Sequence, residues 1–115
     1  MGLFLPKYRN VLHRATLKKF TMEIKRDDNG KKGQFSALID GKEAGLMTYT
    51  WAGDHKFIID HTEVHPDFSG KGVGKQLVMA AVSFARDNSF KILPLCPYAK
   101  KVFERTPEIQ DVLWS

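Results

Sequence analysis

Ser69-Gly70-Lys71-Gly72-Val73-Gly74-Lys75 gathers three glycines and two lysines within seven residues. Directly behind it, Val73, Leu77, Ala81, Phe84 and Ala85 follow a helical stripe through Gly72–Asn88. The first N–H groups of such a helix have no intrahelical acceptor, so several can converge on one anion. Glycines there allow close approach and backbone angles that a side chain would forbid. With Lys71 and Lys75 adding positive charge, the implied ligand is a phosphate or pyrophosphate. Two familiar phosphate motifs do not apply. A P-loop needs Ser or Thr after Gly74-Lys75 and a glycine at 69, where this chain has Gln76 and Ser69. The dinucleotide fingerprint needs a glycine in place of Lys75 and follows the first strand of a parallel unit.

The elements that must position this turn are legible on both sides of it. Met22–Arg26 alternates into the turn Asp27-Asp28-Asn29-Gly30, and Phe35–Ile39 turns at Asp40-Gly41 into Ala44–Trp51. After Ala52-Gly53-Asp54, Phe57–Val64 reads as a buried strand that completes an antiparallel meander. His65-Pro66 and the polar loop Asp67–Lys71 lead into the helix, which Asn88-Ser89 ends. Ile92–Leu95 is a short strand, and Pro97–Arg105 a short helix with proline at its first position. Thr106-Pro107 stops it, and Ile109, Val112 and Leu113 are expected to pack or pair as a last element. Strand, helix, strand implies a crossover, hence a mixed sheet with helices on its faces.

Composition bounds the function. The chain has 115 residues, 43% hydrophobic and 27% charged, which suits one soluble domain. No stretch is apolar for long enough to span a membrane, and the single cysteine, Cys96, excludes an intrachain disulfide. The net charge of +5 lies wholly in residues 1–21, where Lys7, Arg9, Arg14, Lys18 and Lys19 meet no Asp or Glu. Residues 22–115 are electrically balanced, so no broad basic field exists to hold a nucleic-acid backbone. Tyr8, Val11, Leu12 and Ala15 recur at helical spacing in the basic segment. That spacing is open to four readings: an organellar presequence, a membrane-surface helix, a packed extra helix, or a stretch ahead of an ordinary start at Met22. The expected division is a basic extension at 1–21 and a domain at 22–115. The expected compartment is cytoplasmic, or organellar if residues 1–21 are a presequence.

Further spacings point to a known family. The acyl-CoA turn of the GNAT superfamily has Arg/Gln-x-x-Gly-x-Gly/Ala at a helix start. Gly72 and Gly74 match it, and Ser69 departs from the preferred Arg or Gln. His61-Thr62-Glu63-Val64, Phe68-x-Gly70-Lys71-Gly72-x-Gly74, Pro94-x-Cys96-Pro97-Tyr98, then Pro107-Glu108 and Asp111 closely resemble the short YjdJ-type GNAT proteins. The resemblance runs from about Met22 to Leu113. It implies an α/β fold of the α+β type: a mixed sheet with an antiparallel N-terminal meander, a central CoA-binding helix and a short C-terminal helix.

The resemblance also implies chemistry. The strand ending at Val64 would splay from the one at Ile92–Leu95, and acetyl-CoA, the cosubstrate, would lie in the gap. The backbone of Thr62–Val64 would pair with the pantetheine arm as an added strand does. Gly70, Lys71, Gly72, Val73, Gly74 and Lys75 would hold the pyrophosphate. Acetyl transfer to an amine needs a base, donors for the oxyanion and an acid for the leaving thiolate. The candidates are His61, Glu63, Cys96 and Tyr98. His61 and Glu63, two apart on one strand, share a face, and either could deprotonate the amine. His61 has the better ordinary pKa, whereas Glu63 would need raising by burial. Cys96 precedes Pro97 and so falls at a helix N-cap, where a thiolate is favoured; it is either a covalent acetyl carrier or a packed strand-end thiol. Tyr98 is the candidate acid.

His65 is assigned to the loop, His13 and His55 to the surface, and no cluster has metal-ligand spacing. Asp27-Asp28 and Lys31-Lys32 read as solvated turns, and Trp51 and Phe57 as core aromatics flanking a hairpin. Only Asp40-Gly41-Lys42-Glu43 separates the second and third strands, so little wall remains for an acceptor pocket. The acceptor amine and the oligomeric state stay open. So does the choice between an enzyme, a CoA-binding module without turnover, and an interaction domain using the basic segment.

Overall fold

Apolar residues alternate along the strands, and the alternating set defines one buried face. Met22 and Ile24, then Phe35, Ala37 and Ile39, then Met47 and Tyr49, then Phe57 and Ile59 are all at most 1% exposed. The computed structural model describes the backbone of residues 10–17 and 20–114 and the side chains of residues 21–114. Its elements are β1 (Asn10–Leu17), β2 (Phe20–Asp28), β3 (Lys32–Ile39), β4 (Lys42–Trp51), β5 (Lys56–Val64), α1 (Val73–Asn88), β6 (Lys91–Pro94) and α2 (Pro97–Arg105). Short 3-10 helices at Pro66–Phe68 and Pro107–Val112 complete the described elements.

The six strands form one sheet in the order β1-β2-β3-β4-β5-β6. The first four pairings are antiparallel, and β5 pairs β6 in parallel after the crossover through α1. The expected mixed sheet with its meander and two helices is therefore present. Val73, Leu77, Val78, Ala81, Val82 and Ala85 of α1 join Ala99 and Phe103 of α2 in one core with the inward strand residues. Both helices thus cover the same side of the sheet. The opposite side presents Lys25, Gln34, Ser36, Thr48, Thr50, Asp60, His61 and Glu63, and no helix covers it among the described residues.

Three expectations need correction. Val11, Leu12 and Ala15 do not lie on a helix: Asn10–Leu17 is a strand whose register with β2 runs from Asn10↔Arg26 to Leu17↔Phe20. Pairing with a long neighbour overrides a weak 3.6-residue spacing. The roles suggested for residues 1–9, 18 and 19 lie outside the described residues.

Asp28 is not a solvated turn residue. It ends β2 with its side chain 8% exposed, and one carboxylate oxygen accepts from Tyr49 Oη (2.5 Å), Trp51 Nε1 (2.8 Å) and Arg26 Nη1 (3.3 Å). The Arg26 guanidinium also lies 4.2 Å from the Phe84 ring centroid. Burial, then the Asp28 hydrogen bond, pushes the Tyr49 phenol up. Trp51 and Phe57 are core aromatics as expected, packed with Tyr49, Phe84 and Phe90.

β5, thirdly, is buried only in its first half, at Phe57 and Ile59. Tyr49 is opposite Ile59 and Thr48 opposite His61, so Asp60 is an extra residue in a β-bulge. The bulge shifts the alternation, and from there Asp60, His61 and Glu63 are exposed. The tail both packs and pairs: Ile109 and Val112 are buried, and Leu113 bridges Ile92.

Candidate acyl-CoA site

The parallel pairing of β5 and β6 lasts four residues, from Lys56↔Lys91 to Ile59↔Pro94. There the strands part. The Leu95 and Cys96 amides both donate to the Ile59 carbonyl at 3.1 Å, and Pro97, which has no N–H, turns the chain into α2. Beyond Ile59, β5 runs on through Asp60–Val64 with β4 on one side and no strand on the other among the described residues. The backbone edge of Thr62 and Val64 is the kind of edge that an extended amide-bearing ligand can extend.

Cys96 sits at this fork, 4% exposed, as the N-cap residue of α2. Its thiol makes no hydrogen bond to the helix end. Instead Sγ donates across the gap to Thr62 Oγ1 at 3.3 Å. Tyr98, the second residue of α2 and 43% exposed, lies against the start of α1. A Cβ built on Gly74 would stand 2.7 Å from three atoms of the Tyr98 ring and hydroxyl, so only glycine admits the ring in this place. Burial, and secondarily the neighbouring Cys96, raises the Tyr98 pKa.

The glycine turn is as the sequence predicts. Gly70 (φ 78°) and Gly72 (φ 76°) are left-handed, and Gly72 caps α1 without any side-chain acceptor. Gln76 N–H makes the first helical bond, to the Gly72 carbonyl at 3.0 Å. The amides of Val73, Gly74 and Lys75 precede it and have no backbone acceptor among the described residues, and the first turn of α1 carries no acidic residue. This end of α1 can receive an anion.

His61 and Glu63 face away from Cys96, on the uncovered side of the sheet, with side chains 61% and 59% exposed. They share a face as expected and face each other, Nε2 to Oε1 at 3.8 Å. The bulge, not simple alternation, places them there. The structure therefore makes two groups on opposite sides of β5: Cys96, Thr62, Tyr98 and the glycine turn on one, His61 and Glu63 on the other. A thioester in the fork would lie between them. His65 caps the 3-10 turn, its Nδ1 accepting from the Asp67 amide at 3.1 Å, and His55 is exposed. Among the described residues, no three His, Cys, Asp or Glu are grouped to hold a metal, and no helix is long and apolar enough to cross a membrane. Spacing singled out neither the Thr62 hydroxyl nor Lys101 and Arg105, which fall three and seven residues after Tyr98 on α2.

A sheet that forks beside a glycine-capped helix is the architecture of the GCN5-related N-acetyltransferase fold. A profile of the GCN5-related N-acetyl-transferase family matches residues 34–112, and the chain belongs to that family. It is 29% identical over 85 residues to Protein NATD1 of Xenopus tropicalis, covering 73% of this chain and 78% of that protein. A GCN5-like structure from Staphylococcus aureus is 32% identical and superposes with a TM-score of 0.60 over 78% of this chain and 87% of its own. A ribosomal-protein-alanine N-acetyltransferase from Brucella melitensis shares the fold at 24% identity and a TM-score of 0.59. That match covers 67% of this chain and 62% of the Brucella protein.

Proposed function

We propose that the protein binds acetyl-CoA and transfers its acetyl group to an amine. The observation that carries this reading is the fork at Ile59, together with the open amides of Val73, Gly74 and Lys75. An extended thioester would lie along Thr62–Val64, with its pyrophosphate at the N-terminus of α1, Gly70, Lys71 and Gly72 shaping the cradle. In the leading mechanism the amine enters from the uncovered side of the sheet. There His61, paired with Glu63, takes its proton. The amine nitrogen attacks the thioester carbonyl, the tetrahedral intermediate collapses, and the CoA sulfur leaves. A tyrosine with a raised pKa keeps its proton at neutral pH, so the Tyr98 phenol can supply it to the departing thiolate.

Transfer by way of Cys96 is a second route. Its sulfur would attack the thioester, CoA would leave, and the amine would then take the acetyl group from sulfur. The thiol must first give up its hydrogen bond to Thr62. A different reading is a CoA-binding module without turnover. It is favoured by Ser69, which departs from the family's Arg or Gln, and by the absence of a wall on the acceptor side among the described residues.

The test is isothermal titration of the full chain with acetyl-CoA and CoA, followed by intact mass and an amine screen. No binding at ~1 mM, the level of a very weak complex, removes both CoA readings. A mass gain of one acetyl group, lost in Cys96→Ala, selects the covalent route. Binding with no consumption of acetyl-CoA by any amine selects the module.

A further inference from the structure

We propose that a basic cavity between α1 and α2 takes the ribose 3′-phosphate of CoA, so that the protein discriminates CoA from its 3′-dephospho form. The inference rests on the acyl-CoA reading above and adds a subsite to it. The cavity, about 280 Å³, is lined by Lys75, Tyr98, Lys101, Val102, Arg105 and Thr106. Four of these, Tyr98, Lys101, Val102 and Arg105, fall at i, i+3, i+4 and i+7 and so form one stripe of α2. Lys75 faces them from the first turn of α1.

Its charge sets this cavity apart. Three cations line it and no carboxylate does, whereas three larger clefts of the protein each carry at least one carboxylate. Glu104, also on α2, lines the cleft on the other side of the helix with Leu93 and Phe103. Lys75, Lys101 and Arg105 make no ion pair among the described residues. Gathering like charges without a counter-charge is unfavourable unless an anion joins them. Arg105 offers a planar fork and the lysines point charges, a set suited to a phosphate monoester, which carries nearly two negative charges at neutral pH.

Position fixes which phosphate. The Tyr98 ring rests on Gly74, so it borders both the cavity and the amides assigned to the pyrophosphate. In CoA the pyrophosphate leaves the ribose at the 5′ position, and the third phosphate sits at the 3′ position of the same ring. A ligand whose pyrophosphate reaches the α1 amides therefore carries its remaining phosphate a few bonds away, beside this stripe of α2.

The experiment is titration calorimetry of the full chain with CoA and with 3′-dephospho-CoA, repeated on the double variant Lys101→Ala, Arg105→Ala. The expected result is at least ~10-fold tighter binding of CoA than of the dephospho form by the wild type, the factor that one charge-assisted hydrogen bond supplies. The double variant should bind dephospho-CoA as the wild type does and show no preference. Equal binding of both ligands by the wild type overturns the subsite while leaving the acyl-CoA reading intact. A preference that survives in the variant overturns it, as does an equal loss of both ligands. If the wild type binds neither, the acyl-CoA reading falls and the subsite falls with it.

Discussion

Removing the Asp28 carboxylate should damage the fold far more than its place before an Asn-Gly turn suggests. In Asp28→Ala, Tyr49 Oη, Trp51 Nε1 and Arg26 Nη1 lose a shared acceptor at 2.5, 2.8 and 3.3 Å. A buried donor left without a partner costs about 1–3 kcal/mol, and breaking a buried ion pair from one side about 3–5 kcal/mol. The three losses are not independent. Arg26 keeps its hydrogen bond to Tyr49 Oη (3.1 Å) and its place over Phe84, which limits the damage. A loss of about 3–4 kcal/mol follows, a large part of the 5–15 kcal/mol typical of a domain. Tyr49→Phe removes one phenol and leaves Asp28 with two donors, so it should cost about 1–2 kcal/mol. Urea denaturation followed by circular dichroism gives both values, with Asp28→Asn falling between them. The order Asp28→Ala, Asp28→Asn, Tyr49→Phe should persist at ~1 M salt, because buried pairs are screened little. A change within ~0.5 kcal/mol for Asp28→Ala, the size of an ordinary surface substitution, would refute the reasoning and return Asp28 to the solvent.

Three further outcomes follow from the same geometry. Gly74→Ala puts a methyl where the Tyr98 ring lies; the exposed ring can swing away, and alanine is the better helix former by up to ~1 kcal/mol. Thermal unfolding should therefore be unchanged or slightly higher while CoA affinity falls; a lowered Tm would show that the ring cannot swing away, and an unchanged CoA affinity would remove this contact from the site. Tyr98→Phe keeps the ring but not the proton, so kcat with any amine that proves to be an acceptor should drop at least ~100-fold with little change in acetyl-CoA binding, the usual weight of a general acid. An unaffected kcat would remove Tyr98 from the reaction. Tyr49, lastly, has a folded pKa above its ordinary value near 10. Below pH ~10 the phenol is protonated in both states, and above it the unfolded chain loses the proton first. Stability should fall as pH rises past ~10, and a urea midpoint that stays flat there, or rises, would exclude the buried phenol.

The parts of the fold written in local sequence are the ones that spacing recovers. Gly70 and Gly72 must be left-handed, Pro97 opens a helix, and Asn88-Ser89 closes one, Ser89 itself at φ 60°. Asp28 was not legible because its burial depends on Tyr49 and Trp51, more than twenty residues away. Any carboxylate before Asn-Gly looks like a turn residue. Here one oxygen does serve the turn, accepting from the Gly30 amide, while the other reaches inward. β1 was not legible because four apolar residues in eight fit a helix or a strand, and the edge of β2 decides.

The candidate site divides along the same line. The proposed anion end of the site is read from the glycines alone, because backbone would perform the task there. The acyl end depends on two events that no local pattern announces. One is the bulge at Asp60, which moves His61 and Glu63 to the uncovered side although strict alternation would group them with Phe57 and Ile59. The other is the fork, where Leu95 and Cys96 both bond the Ile59 carbonyl and bring Cys96 to Thr62. Both lie within a residue or so of Ile59, and they act together. The fork opens a gap in the sheet, and the bulge turns the candidate base to the opposite side of it. A nucleophile entering from the uncovered side and a leaving group departing towards α1 and α2 would then sit on opposite faces of one thioester. That separation would keep the base that deprotonates the amine apart from the acid that protonates the thiolate, and it is why the bulge at Asp60 belongs to the candidate site.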